Sequence, residues 1–159
     1  MVTFISRHII SKSLSNNPVI ELLIKQKLFD FDEPSNIAQI ACELHLVIPK
    51  NFSDDPVLKL LGKHGLFDFN AEKNTIYLPI HLPVAKLLGM SLYSDRPMDS
   101  YLKGISDALK RFRDSSDFAL AQTADNFALK RLESAVCQFQ AKVAEGLATG
   151  RVFIAAPLR

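Results

Sequence analysis

Arg7-His8-Ile9-Ile10-Ser11-Lys12, running on to Leu28-Phe29-Asp30-Phe31 and Asn36, returns 38 residues later as His45-Leu46-Val47-Ile48-Pro49-Lys50, running on to Leu66-Phe67-Asp68-Phe69 and Asn74. No gap is needed to align 6–36 with 44–74. Thirteen of the 31 aligned positions are identical, where chance at ordinary composition gives about two. The pattern is that of an internal duplication, and two copies are too few for a stacked repeat array.

Each copy carries local signals for the same elements. Asn16-Asn17-Pro18 and Asp54-Asp55-Pro56 pair a capping side chain with a proline whose missing N–H costs nothing in a first helical turn. A helix is predicted from each. Val19, Leu22, Leu23 and Gln26 in the first copy, and Val57, Leu58, Leu61 and His64 in the second, keep helical spacing, with Glu21, Lys25, Lys59 and Lys63 on the opposite face. Phe4 to Ile10 and Leu44 to Ile48 are rich in β-branched residues and read as short strands. Each unit is therefore strand, loop, helix, Phe-Asp-Phe turn and a second extended segment.

Past the repeats the pattern becomes helical. Asn74 to Pro79 is extended, and His81 to Gly89 reads as a turn or short helix opening at Pro83. Pro97-Met98-Asp99-Ser100 starts a helix to about Phe112, with Tyr101, Leu102, Ile105, Leu109 and Phe112 on one stripe. A long helix is expected from about Ala119 to Leu147, with an interruption near Thr123 to Asn126. Leu129, Leu132, Val136, Phe139, Val143 and Leu147 recur along it at steps of three and four, and Gly150 stops it. Such a stripe is usually core, although it also suits a partner. Arg151 to Ile154 reads as a terminal strand or extended tail. The expectation is an α+β fold in one domain over 1–159: duplicated ββα-like units, then a helical part over 97–150.

Composition narrows the function classes without choosing one. The chain has 159 residues, 48% apolar and 23% charged, with a formal charge of +2 and a pI near 8.5. A chain of this length buries roughly two-thirds of its unfolded surface on folding. Phosphate binders are usually more basic. No stretch reads as a membrane span or signal peptide, so synthesis in the cytoplasm and no membrane partner are expected. Cys42 and Cys137 stand far apart with no neighbouring Cys, which implies neither a zinc knuckle nor a disulfide framework. Both read as small buried hydrophobes. The chain lacks Gly-x-Ser-x-Gly, and its six glycines form no phosphate cradle, so no nucleotide cofactor is expected. Asp30, Asp32, Glu33, Asp54 and Asp55 fit caps and turns better than paired catalytic acids. Lys110-Arg111, Arg113 and Lys130-Arg131 read as solvated helix faces.

The order His8-Ile9-Ile10-Ser11-Lys12 and His45 to Pro49-Lys50, a capped helix, Phe67-Asp68-Phe69-Asn70, Asn74-Thr75-Ile76-Tyr77-Leu78-Pro79, then Arg96-Pro97-Met98-Asp99-Ser100-Tyr101 opening a helix resembles the AHH family of predicted toxin nucleases, in the HNH and endonuclease VII superfamily. The resemblance covers about Ser6 to Leu109. It implies a ββα-metal (His-Me finger) nuclease that hydrolyses DNA or RNA. A strand histidine would be the general base, an Asn would orient it, and a divalent metal (Mg or Zn) would stabilise charge on the scissile phosphate. It further implies a toxin module of bacterial competition, countered by an immunity protein and exported by a specialised system without a signal peptide.

The matching residues are divided between the copies. His8 falls at the family's second-histidine position, the base, with Arg7 at the first; His45 takes the first position and Leu46 the second. The candidate catalytic set is His8, Asn36, His45 and Asn74; Arg7, Lys12 and Lys50 are candidate phosphate contacts, and His45 and His81 candidate metal ligands. Three readings stand open. His8 and His45 are strand-surface residues kept by duplication, with Asn36 and Asn74 as turn residues; or the first copy cleaves phosphodiesters through His8 and Asn36; or His45, Asn74 and His81 form a composite site. The rival to a nuclease is a degenerate member acting as a binding or assembly module. His64 reads as an exposed replacement for Gln26.

Overall fold

A computed structural model of the chain describes residues 3–4 and 41–155. The fold is α+β: an antiparallel sheet, then a half that is mostly helix. The sheet has the order β1 (Thr3–Phe4), β2 (Ala41–Leu46), β3 (Thr75–Pro79). β2 and β3 pair with Glu43 opposite Leu78 and His45 opposite Ile76; Thr3 and Phe4 pair with Cys42 and Ala41. The first copy, 6–36, lies outside the described residues, including its expected helix, Arg7, His8, Lys12 and Asn36.

The second copy follows the expected order of elements. β2 leads through a 3-10 turn (Lys50–Phe52) into α1 (Pro56–Lys63), and a return segment with a second 3-10 turn (Glu72–Asn74) leads into β3. α1 starts where capping chemistry directs. Asp55 accepts from Val57 N–H at 2.9 Å, and Pro56 occupies the first turn. Val57, Leu58 and Leu61 are buried on one face while Lys59, Lys63 and His64 are exposed. Phe67 and Phe69 meet edge to face at 4.9 Å, fixing the return segment. β2 begins three residues earlier than its β-branched content suggests and stops at Leu46, because the Ile48 N–H leaves the ladder for the Asn74 side chain.

The remaining helices are α2 (Leu82–Leu88), α3 (Asp99–Arg113), α4 (Ser116–Ala121) and α5 (Asn126–Ala148). The interruption expected near Thr123 is the turn between α4 and α5: Ala124 takes a left-handed φ of 63°, and Asp125 caps α5 through Ala128 N–H at 2.8 Å. α5 packs against α3, α4, β3 and the Glu72–Asn74 turn. Its stripe of Leu129, Leu132, Val136 and Leu147 enters the core with Ile48, Leu61, Leu78, Ile105 and Leu109. The segment from Arg151 to Ile154 forms no strand among the described residues. It bends over the ends of α2 and α5, with Ile154 fully buried, its N–H donating to Ser91 Oγ and its carbonyl accepting from Met98 N–H.

Candidate site around His45 and Asn74

The two candidate catalytic residues of the second copy sit near the same end of the β2–β3 ladder, two register positions apart on facing segments. His45 lies within β2. Asn74 closes the 3-10 turn that feeds β3, and its own carbonyl accepts from Val47 N–H at 2.8 Å. Both side chains are inside the protein, at 5% and 0% exposure.

Asn74 makes every hydrogen bond that an amide side chain has capacity for on this side of the sheet. Oδ1 accepts from Ile48 N–H at 2.9 Å and from Gln140 Nε2 at 3.0 Å; Nδ2 donates to the carbonyls of Ile48 at 3.1 Å and Phe69 at 2.8 Å. These bonds tie the end of β2, the Phe-Asp-Phe return and α5 to one residue. None of them reaches His45. Asn74 acts here as a buried cross-brace for backbone groups that burial would otherwise leave unsatisfied.

His45 faces Tyr101, from the first turn of α3. The rings meet edge to face at 5.7 Å, and Nε2 lies 3.2 Å from the phenol oxygen. The Tyr101 O–H donates to the Val47 carbonyl at 2.7 Å, so its oxygen is left to accept from His45, which assigns the proton to Nε2. Burial pushes the imidazole down to about 4 and the phenol above its usual range. At neutral pH the pair is an uncharged buried relay from β2 to α3. A general base works best with a pKa near the operating pH and with access to water; His45 has neither property.

The other candidates are dispersed. Lys50 is exposed in the 3-10 turn, and His81 is exposed at the start of α2 without capping it. Among the described residues no three His, Cys, Asp or Glu side chains gather as metal ligands; His45 is buried in β2 and His81 is exposed at the start of α2. Of the basic groups, Arg113 pairs with Asp55 at 3.2 Å and Arg131 with Asp117 at 2.8 Å. Tyr101 and Gln140 complete the site without having been singled out for it. Gln140 did leave a signal, as a polar residue within the apolar stripe of α5. Its Oε1 is buried without a partner among the described residues.

No family model, curated protein or solved structure matches the chain. No helix among the described residues is long and apolar enough to cross a membrane.

Proposed function

We propose that the chain works as a non-catalytic binding or assembly module on a scaffold of AHH-nuclease type, with the second copy given over to structure. One observation carries this reading: Asn74 and His45, the orienting amide and the histidine of that copy, are both committed to buried hydrogen bonds that hold the fold. A nuclease needs the same groups facing a solvated phosphate. The surface offers a partner apolar contacts instead at the α4–α5 turn, where Phe127 is 78% exposed and Leu120 46%.

A second reading has one sequence observation in its favour, the retention of His8 at the base position together with Asn36. In it the first copy hydrolyses DNA or RNA with a divalent metal, Arg7, Lys12 or Lys50 contacts the phosphate, and an immunity protein restrains the toxin. One experiment separates the two. The purified chain and its His8→Ala and His45→Ala variants are incubated with supercoiled plasmid and with total RNA in Mg²⁺, Mn²⁺, Zn²⁺ or chelator. The binding-module reading expects no cleavage by any folded form. Metal-dependent cleavage lost in His8→Ala and kept in His45→Ala would overturn it and establish the nuclease of the first copy.

A further inference from the structure

The 3-10 turn carrying Asn74 touches α5 a second time, through Lys73. Its Nζ lies 3.3 Å from Cys137 Sγ and 3.4 Å from Glu133 Oε1, with Glu133 and Cys137 one turn apart on α5. The cluster is open to small solutes. The Lys73 side chain is 42% exposed and that of Glu133 29%, Cys137 is half-buried, and Lys73 also lines a surface hollow with Ala71 and Glu72. Cys42 is the opposite case, 3% exposed and with its thiol pushed up to about 11 by burial. The chain thus holds one shielded thiol and one presented to solvent against an amine and a carboxylate. As an exposed ion pair the contact between Lys73 and Glu133 adds little to stability.

We propose that Cys137 and Lys73 form a peroxide-driven redox staple, a covalent sulfur–nitrogen bond between α5 and the Glu72–Asn74 turn. The thiolate is the form of a cysteine that reacts with peroxide. The hydrogen bond to Cys137 is the main influence that raises the Lys73 amine, with Glu133 adding to it. The thiolate attacks one oxygen of hydrogen peroxide; the O–O bond breaks, a sulfenic acid forms, and the departing hydroxide takes up a proton as water. Oxidation removes the sulfur acceptor that had held the Lys73 amine. Lys73 then gives a proton to Glu133, its lone pair attacks the Cys137 sulfur, and the S–O bond breaks. The hydroxide leaving sulfur takes up the second proton lost by nitrogen. In sum the thiol and the neutral amine lose one hydrogen each, sulfur is oxidised by two electrons, and one peroxide becomes two waters. A thiol reductant returns both side chains.

The full chain is reduced, exposed to hydrogen peroxide, denatured, alkylated and analysed by intact and peptide mass spectrometry. The expected result is a monomer lighter by two hydrogens than the reduced chain before alkylation, with one thiol blocked and trypsin failing to cut at Lys73. A Lys73–Cys137 peptide pair is recovered, and dithiothreitol reverses the change. Cys42→Ser keeps this product, and Cys137→Ser and Lys73→Arg lose it; the stapled form melts higher than the reduced one. Oxygen added to Cys137 while Lys73 remains cleavable would overturn the proposal. So would the same mass loss persisting in Lys73→Arg or vanishing in Cys42→Ser, which marks a disulfide.

Discussion

Asn74 satisfies four groups, three of them in buried hydrogen bonds, so its replacement tests how much of the fold hangs on one amide. Asn74→Ala leaves the Ile48 N–H, the Ile48 and Phe69 carbonyls and Gln140 Nε2 without that partner. At ~1–3 kcal/mol for a buried group left unsatisfied, with losses at one site overlapping, the cost is expected to reach about 3 kcal/mol or more. Asn74→Asp should be nearly as damaging, since a carboxylate cannot donate to the two carbonyls; urea unfolding of both variants reads the loss. His45 makes a different prediction, in pH. The unfolded imidazole protonates near 6.5 and the buried one near 4, so between those values the unfolded chain binds more protons. The associated stability is intact above pH 6.5, and up to about 3 kcal/mol of it is lost as pH falls through 4. His45→Gln, which keeps an N–H for Tyr101 but does not titrate, should flatten that part of the stability–pH curve; an unchanged slope would sink the assignment. The identity of Asn74 as a repeated residue was plain in the sequence. Its partners were not, because they come from Ile48, Phe69 and Gln140, up to 66 residues away.

At the scale of elements, the helix starts read directly from short motifs are the ones observed, a cap at Asp55-Pro56 and a start at Asp99 without a side-chain cap, since a helix start depends on neighbours within a turn. The tail, read as a terminal strand or an extended segment, forms no strand among the described residues, because a strand needs a partner edge, which no local pattern supplies. It is held by packing, and two glycines test how. A Cβ on Gly146, inside α5, would meet Val152 Cγ2 at 2.5 Å, whereas on Gly150, at a φ of 65°, it would meet the Gly89 carbonyl oxygen at 2.7 Å. Side chains yield more readily than backbone. Gly146→Ala should therefore be recovered in large part by Val152→Ala. Gly150→Ala adds left-handed strain to a backbone clash and should resist rescue by any side-chain change. Thermal midpoints of the two single variants and the double variant decide it; equal loss in Gly146→Ala with and without Val152→Ala would contradict the packing argument.

Across the molecule, α5 is the common surface: it meets α3, α4, β3 and the Glu72–Asn74 turn, so the sheet and the helices cannot open separately without exposing the same apolar stripe. Tyr101, bridging α3 to His45 and Val47, reports on that junction. Its near-ultraviolet circular dichroism and the helical far-ultraviolet signal should disappear in one coincident transition, and Leu132→Ala, at the centre of the stripe, should lower the midpoint of both at a cost of about 2–5 kcal/mol. Separate transitions would show that the sheet and the bundle unfold independently. The sequence by itself determined what depends on neighbours along the chain: the repeat, the capped helix of the second copy, the apolar stripes of α3 and α5, and the break before Asp125. Only the tertiary structure decided the environment of the chemistry. It turned His45 toward Tyr101, spent Asn74 on the backbone, and set Lys73 against Cys137. Burial, hydrogen-bond partners and the pKa of a side chain are set by groups distant in sequence, and a motif can place a histidine on a strand without saying whether water reaches it.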